Sequence, residues 1–224
     1  MSNLIIFKLF EEGGVIMWPI LITSIVAVSV IVERFLWWRT ESRKRDQLKL
    51  DRVFAALEKH DLKEASGLAA SSEDSILRVL WYGLNHSHSS LQGALQVSAG
   101  IELERAGRFI VVLDTIVTLA PLLGLLGTVT GLMQAFFKLG EAELSEQAIT
   151  GGIAEALIAT ACGLGIAIVS LVFLNYYSSK LAKFQFELQT ACTNAEVLVG
   201  ERSAPSSATS VPPSSRESVS SSSL

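Results

Sequence analysis

The sequence predicts an all-α membrane protein of three transmembrane helices, N-out and C-in, with long cytoplasmic helical extensions. Three observations carry this prediction. Half of the 224 residues are hydrophobic and only 18% are charged, and a mean hydropathy of +0.43 is too apolar for an ordinary soluble domain of this length. Three runs of at least 18 residues carry no charge, and about 20 apolar residues in a helix cross the hydrocarbon core. The polar stretches between and after these runs repeat their apolar residues at helical spacing.

Composition also narrows the partners. The net charge of -4 and the lack of a Lys/Arg cluster interleaved with aromatics set nucleic acid aside. Cys162 and Cys192 are 30 residues apart, with no CxxC or His pairing nearby, and read as packing residues. His60, His86 and His88 fall in a separate hydrophilic region, so no metal site is expected, and His86-x-His88 reads as a solvated loop. No cofactor is expected.

The first span, Val15 to Val32, is uncharged and is followed by Glu33-Arg34 and the aromatic cluster Phe35, Trp37 and Trp38. A cleaved signal peptide would place its basic residues before the apolar run. Here Glu11-Glu12 precede it, and Arg34, Arg39, Arg43, Lys44 and Arg45 follow. Thr115 to Phe137 and Ala156 to Ser179 form the second and third spans, joined by a short acidic connection into an antiparallel hairpin. Pro19 and Pro121 lie inside spans, where neighbouring helices satisfy the carbonyls that proline frees.

Three spans place the two ends of the chain on opposite sides, and the Lys/Arg balance decides which is which. Two cations, Lys8 and Lys138, lie on one side and 16 on the other, which gives N-out and C-in. The expected division is residues 1–14 as a periplasmic N-terminus, 15–38 as transmembrane helix 1 and 39–108 as a cytoplasmic helical domain. Residues 109–138 form helix 2, 139–149 a periplasmic loop and 150–179 helix 3; a cytoplasmic helix over 180–200 and a disordered Ser/Pro-rich tail over 201–224 complete the chain. In the cytoplasmic domain Leu48, Val53, Ala56, Leu57, Leu62, Ala65 and Leu68 recur at helical intervals, as do Leu181, Phe184, Leu188, Ala191, Ala195 and Leu198 after the third span.

The hairpin holds the candidate functional residues. Pro121, Gly124, Gly127 and Gly131 on one span, and Ala159 and Gly163 on the other, let helix backbones approach closely in lipid. Counted from Phe137 and Thr150 at 1.5 Å per residue, Thr128 lies about 14 Å deep and Thr160 about 15 Å deep, so both hydroxyls reach the bilayer midplane. Each must bond a carbonyl of its own helix or face a polar neighbour. Glu155 lies about 8 Å deep and about 140° around the helix from Thr160, on the face of Ala159 and Cys162. Structural pairing and a place on an ion path both fit an acid there. Asp114, Thr118, Pro121, Leu125 and Thr128 make a polar stripe from the cytoplasmic boundary to the midplane; Asp114 with Thr118 reads either as a proton exit or as the membrane edge.

One absence matters. Neither Asp114 to Lys138 nor Glu155 to Lys180 holds an intervening Asp, Glu, His, Lys or Arg, and a threonine hydroxyl is far too weak an acid to relay protons. If ions cross at this depth, another polypeptide must bring the carboxylate.

At Leu119-Ala-Pro121-Leu-Leu-Gly124-Leu-Leu-Gly127-Thr128-Val-Thr-Gly131 and Gly152-Ile-Ala-Glu155-Ala-Leu-Ile-Ala159-Thr160-Ala-Cys-Gly163-Leu the sequence resembles the MotA/TolQ/ExbB proton-channel family, most of all ExbB. The likeness extends to Gly13-Gly14-Val-Ile-Met-Trp18-Pro19 and Glu33-Arg34, and leaves out the Ser-rich tail. It implies an inner-membrane homopentamer around an ExbD/TolR-like dimer whose membrane helices carry an Asp. It further implies that Thr128 and Thr160 line the pore, that Glu155 is the family's hairpin glutamate, and that proton passage drives motion passed to a TonB- or TolA-like protein. Three spans rather than four separate it from a flagellar MotA-like stator. A TolQ-like subunit and a non-conducting membrane scaffold are the alternatives. An intramembrane enzyme is the weakest reading, because no Ser/His, paired-Asp or metal-binding His set lies in any span.

Overall fold

The computed structural model describes residues 14–86, 90–139 and 146–200. The N-terminus up to residue 13, most of the 139–149 connection, the tail from 201 onward and His88 lie outside the described residues. Among those described, the chain is all-α, with α1 Met17–Lys44, α2 Gln47–Glu58, α3 Leu62–Ala70, α4 Ser75–Asn85, α5 Leu91–Gly107, α6 Ile110–Leu139 and α7 Glu146–Gly200. Three stretches are long and apolar enough to cross a membrane: α1, the α5–α6 pair and α7. In the most apolar window of each, only 22% of residues are buried within the chain. That inverts a soluble core, and the surface so exposed is the kind that lipid covers.

The spans are held by long helices rather than by isolated segments. Pro19 stands in the first turn of α1, where its missing N–H breaks no helical bond, and the Thr23 hydroxyl donates to its carbonyl at 2.8 Å. α6 continues through Pro121. α7 is unbroken for 55 residues, about 80 Å, so the third span and the helix after it are one rod.

Of the four short helices, α2, α4 and α5 pack on the polar end of this rod and α3 packs on α2 and α4. Each begins at a side-chain cap: Asp46, Asp61, Asp74 and Ser90 accept from the backbone N–H of Lys49, Glu64, Ile76 and Gly93. The second oxygen of the buried Asp74 carboxylate accepts from Asp46 N–H at 2.9 Å, so one acid ties the start of α2 to the start of α4. Leu50, Val53 and Leu57 of α2 and Ile76, Leu77 and Leu80 of α4 meet Phe184, Leu188, Ala191 and Ala195 of α7 in one core. Leu48 and Leu62 depart from the spacing expected of them: both are exposed, because Leu50 rather than Leu48 shares a face with Val53 and Leu57, and Ala65 and Ala69 supply the buried positions of α3.

Cys192 lies in that core. Burial, aided by the nearby Glu196, pushes its thiol up to about 11. At pH 8 about one molecule in a thousand carries the thiolate. Iodoacetamide should therefore label Cys192 at a detectable rate only after denaturation, and rapid labelling of the folded protein would contradict its place in the core.

The join between α5 and α6 is a sharp break at Arg108-Phe109, with Phe109 in the left-handed region at φ 64°. Ending α5 there leaves its last carbonyls without helical donors. The buried Arg34 guanidinium fills this gap from α1, donating to Arg105 O at 3.2 Å and Ala106 O at 3.1 Å. Its other nitrogens form a fork with Glu33 at 2.5 and 2.6 Å, and the rings of Trp37 and Phe109 lie within 5.7 Å. In the same corner the Tyr177 hydroxyl of α7 donates to Ile31 O of α1 at 3.0 Å.

Candidate pore-lining hairpin

Leu113, Ile116, Ala120, Gly124, Gly127, Gly131 and Ala135 are the buried positions along α6. On α7 they are Ala156, Ala159, Gly163, Ala167, Ser170, Leu174 and Tyr177 in the stretch that faces it. Both sets step by three or four residues, close to the helical repeat of about 3.6, so each seam stays on one face of its helix.

The small residues bring backbone to backbone. A methyl group on Gly163 would lie 2.5 Å from the Ala120 carbonyl oxygen and 3.1 Å from Gly124 Cα. One on Gly127 would lie 2.5 Å from Ala159 Cβ, and one on Gly131 would lie 3.0 Å from Gly152 O. Every small residue expected at this interface is thus in it, whereas Pro121 is half-buried beside it.

The two threonines satisfy themselves differently. Thr128 donates to Leu125 O of its own helix at 2.7 Å. Thr160 donates across the hairpin to Gly124 O at 2.8 Å, because at glycine no side chain screens the carbonyl. Thr160 is thus level with Gly124, one turn or about 6 Å along α6 from Thr128, so the hydroxyls occupy neighbouring turns and not the common depth expected of them.

Asp114, Thr118 and Leu125 are exposed, and Pro121 and Thr128 are half-buried, so the polar stripe runs along the flank of α6, about 100° around the helix from the centre of the seam. The Thr118 hydroxyl donates to Thr115 O at 2.9 Å. Glu155 is not beside the threonines. Its carboxylate lies against Gly14 at the entry to α1, where a methyl group on Gly14 would collide with Oε1; Gly14 has φ +67°, which glycine adopts without strain. The neighbouring Ala159 and Cys162 pack with Met17 and Ile20 of α1. The glutamate face of α7 is therefore the face turned to α1.

Two contributors were not singled out from the sequence. Arg34 counted there toward the end of the first span, the charge asymmetry and the family likeness, not as a structural tie; its carbonyl partners stand 71 and 72 residues away, beyond any local pattern. Ser170 has a buried hydroxyl with no hydrogen-bond partner among the described residues. It continues the small-residue register of Ala156, Ala159, Gly163 and Ala167, and extending that register one turn would have found it. Among the described residues no group of three or more His, Cys, Asp or Glu is placed to hold a metal ion.

The arrangement has recognisable counterparts. The profile of the MotA/TolQ/ExbB proton channel family matches residues 65–190, from the short helices through the whole hairpin. The chain is 39% identical to biopolymer transport protein ExbB-like 1 of Synechocystis over 73% of its own length, and spans 66% of that relative. It is 32% identical to ExbB-like 3 of the same organism over 85% of its length and 92% of the relative's. With the Tol-Pal system protein TolQ of Haemophilus influenzae it shares 38% identity over 39% of each chain. Three membrane-capable helices, the seam of small residues and these matches lead to one conclusion: the chain is a multi-pass inner-membrane protein that belongs to the MotA/TolQ/ExbB proton channel family.

Proposed function

We propose that this chain is the channel and stator subunit of an ExbB–ExbD-type motor, which uses the proton motive force to energise TonB-dependent transport at the outer membrane. Five copies surround an ExbD/TolR-like dimer, with α6 and α7 of each copy lining the pore. The observation that carries the reading is the division of labour on α6: its small residues are consumed by the seam with α7, while Asp114, Thr118 and Thr128 are left along the flank beside it. The Thr118 and Thr128 hydroxyls donate to carbonyls of their own helix, which leaves their oxygens free to accept a proton donor from a partner. The partner's membrane Asp supplies the carboxylate that neither hairpin helix carries at that depth.

In this reading Thr128 and Thr160 offer hydroxyl oxygens to a proton held by the partner's carboxylate. Asp114 and Thr118 lead it toward the cytoplasm. Glu155 sets the position of α1 against the hairpin, supported by its contact with Gly14. The N-out, C-in orientation puts the α2–α5 bundle and 16 of the 18 Lys/Arg in the cytoplasm. Likeness to ExbB-like 3 over most of both chains favours the ExbB-type role, and the shorter match to TolQ supports a Tol-Pal role as the second reading.

The test is proton flux in liposomes holding the chain and its single-span partner, followed with an internal pH dye under an imposed potential. The Thr128→Val/Thr160→Val double variant is expected to slow flux at least about tenfold, equivalent to roughly 1.4 kcal/mol on the rate-limiting barrier. Flux equal to the parent's would remove both threonines from the path, and a parent that conducts no faster than protein-free liposomes would leave the non-conducting scaffold. Co-purification with a TonB-like rather than a TolA-like protein separates the two motor readings.

A further inference from the structure

Where α1 and α7 leave the membrane, side by side and running in the same direction, they step through the same three chemistries at the same level. On α1 the exposed Val28 and Val32 give way to Phe35 and then to Arg39 and Arg43. On α7 Val169 and Val172 give way to Tyr176 and then to Lys180 and Lys183. Steps of three and four residues keep each series on one helix face. Two adjoining clefts lie between these faces, and Trp38, Ser42 and Lys180 line both.

The charges at this level are unevenly matched. Arg39, Arg43, Lys180 and Lys183 have no carboxylate within ion-pair distance among the described residues. The two acids lining the clefts are already engaged: Glu187 pairs with Arg45 at 2.7 Å, and Glu41 accepts from the Ser75 hydroxyl. Lys180 Nζ rests 5.1 Å from the Tyr176 ring centroid and 5.8 Å from that of Trp38, held at the mouth by aromatic faces alone. The Trp38 indole N–H is buried without a hydrogen-bond partner among the described residues, so this layer also holds an unmet donor. Aliphatic, then aromatic, then cationic is the profile of a phospholipid read from its acyl chains to its phosphate.

We propose that the α1–α7 cleft binds one anionic phospholipid, its phosphate among Arg39, Arg43 and Lys180 and its acyl chains along the Val32/Phe35 and Val172/Tyr176 faces. The site is independent of whether ions cross the hairpin. Its chemistry excludes a free phosphate as the natural occupant, because half of the groove is apolar and opens toward the hydrocarbon region.

The full-length protein in detergent, titrated with phosphatidylglycerol or phosphatidylcholine and read by native mass spectrometry, tests this directly. At roughly fivefold per cation, Arg39→Gln/Lys180→Gln should weaken phosphatidylglycerol binding about 25-fold and leave phosphatidylcholine unchanged. The charge-preserving Arg39→Lys/Lys180→Arg variant should retain binding, which separates loss of the site from loss of the fold. Lys59→Gln/Lys63→Gln, on the exposed surface of the α2–α5 bundle, should have no effect. The proposal is overturned if the Gln pair binds phosphatidylglycerol like the parent or if the Lys59/Lys63 pair loses it equally. It is overturned too if glycerol phosphate displaces the lipid as well as whole phosphatidylglycerol does, or if the Gln pair instead breaks the oligomer, which would make this face a contact between subunits.

Discussion

Gly163→Val is expected to prevent α6 and α7 from closing on each other. The added side chain meets Ala120 O at 2.5 Å, Gly124 Cα at 3.1 Å and Gly124 N at 3.2 Å. All three are backbone atoms, so no rotamer change makes room and the helices must separate. Separation also draws Thr160 away from Gly124 O and opens the contacts of Gly127 with Ala159 and of Gly131 with Ala156. Overpacking of this kind costs roughly 1–3 kcal/mol and the lost interhelical hydrogen bond about 0.6 kcal/mol more, with the loosened seam adding to both, so a total of about 3 kcal/mol is expected. A fall in the SDS fraction needed to unfold the protein, monitored by circular dichroism, reports it. Gly165→Ala is the matched comparison, since a methyl group there meets nothing within 4 Å. An unchanged midpoint for Gly163→Val would mean that the seam contributes little to the hairpin.

Arg34→Met should produce the next largest loss. The substitution keeps an apolar stem of similar length and removes the fork to Glu33 together with both bonds to the end of α5. The carbonyls of Arg105 and Ala106 are then stranded behind a left-handed Phe109, a backbone state that itself costs about 1–2 kcal/mol. Unsatisfied acceptors cost roughly 1–3 kcal/mol each, and the desolvation of a buried guanidinium is recovered in part. A net loss of about 3 kcal/mol follows, which for a chain of this size lowers the thermal midpoint by roughly 6–12 °C. Arg34→Lys should rescue little of it, because an ammonium cannot span two carbonyls and a carboxylate from one plane. Thermal denaturation followed by size exclusion measures both variants, and full rescue by lysine would reduce Arg34 to a generic interfacial charge.

The spans were legible because lipid demands long uncharged helices, and that demand is written residue by residue over Thr115 to Phe137. The seam was legible for a related reason: glycines at 124, 127 and 131 have no other good use in a membrane helix. What the Thr160 hydroxyl bonds to was not, since that depends on how far α7 slides along α6, and a shift of one turn would have offered it a different carbonyl. The same applies to Glu155, whose neighbour Gly14 is remote in sequence and reaches it only through the packing of α1. The short helices of the polar bundle were only half read. Their apolar spacing was noted, but Asp46, Asp61, Asp74 and Ser90 mark the starts of α2 to α5 more sharply than the spacing does, and they would have turned Leu48 and Leu62 outward before any packing was known.

The unbroken α7 has a mechanical consequence. From Thr160 to Gly200 it extends about 60 Å as one hydrogen-bonded rod, so a tilt of about 5° at the depth of Thr160 sweeps its far end through about 5 Å. Helices α2, α4 and α5 rest along that far end and would be carried with it. A small rearrangement at the bilayer centre thus arrives outside the membrane enlarged, as a stroke delivered by a lever arm.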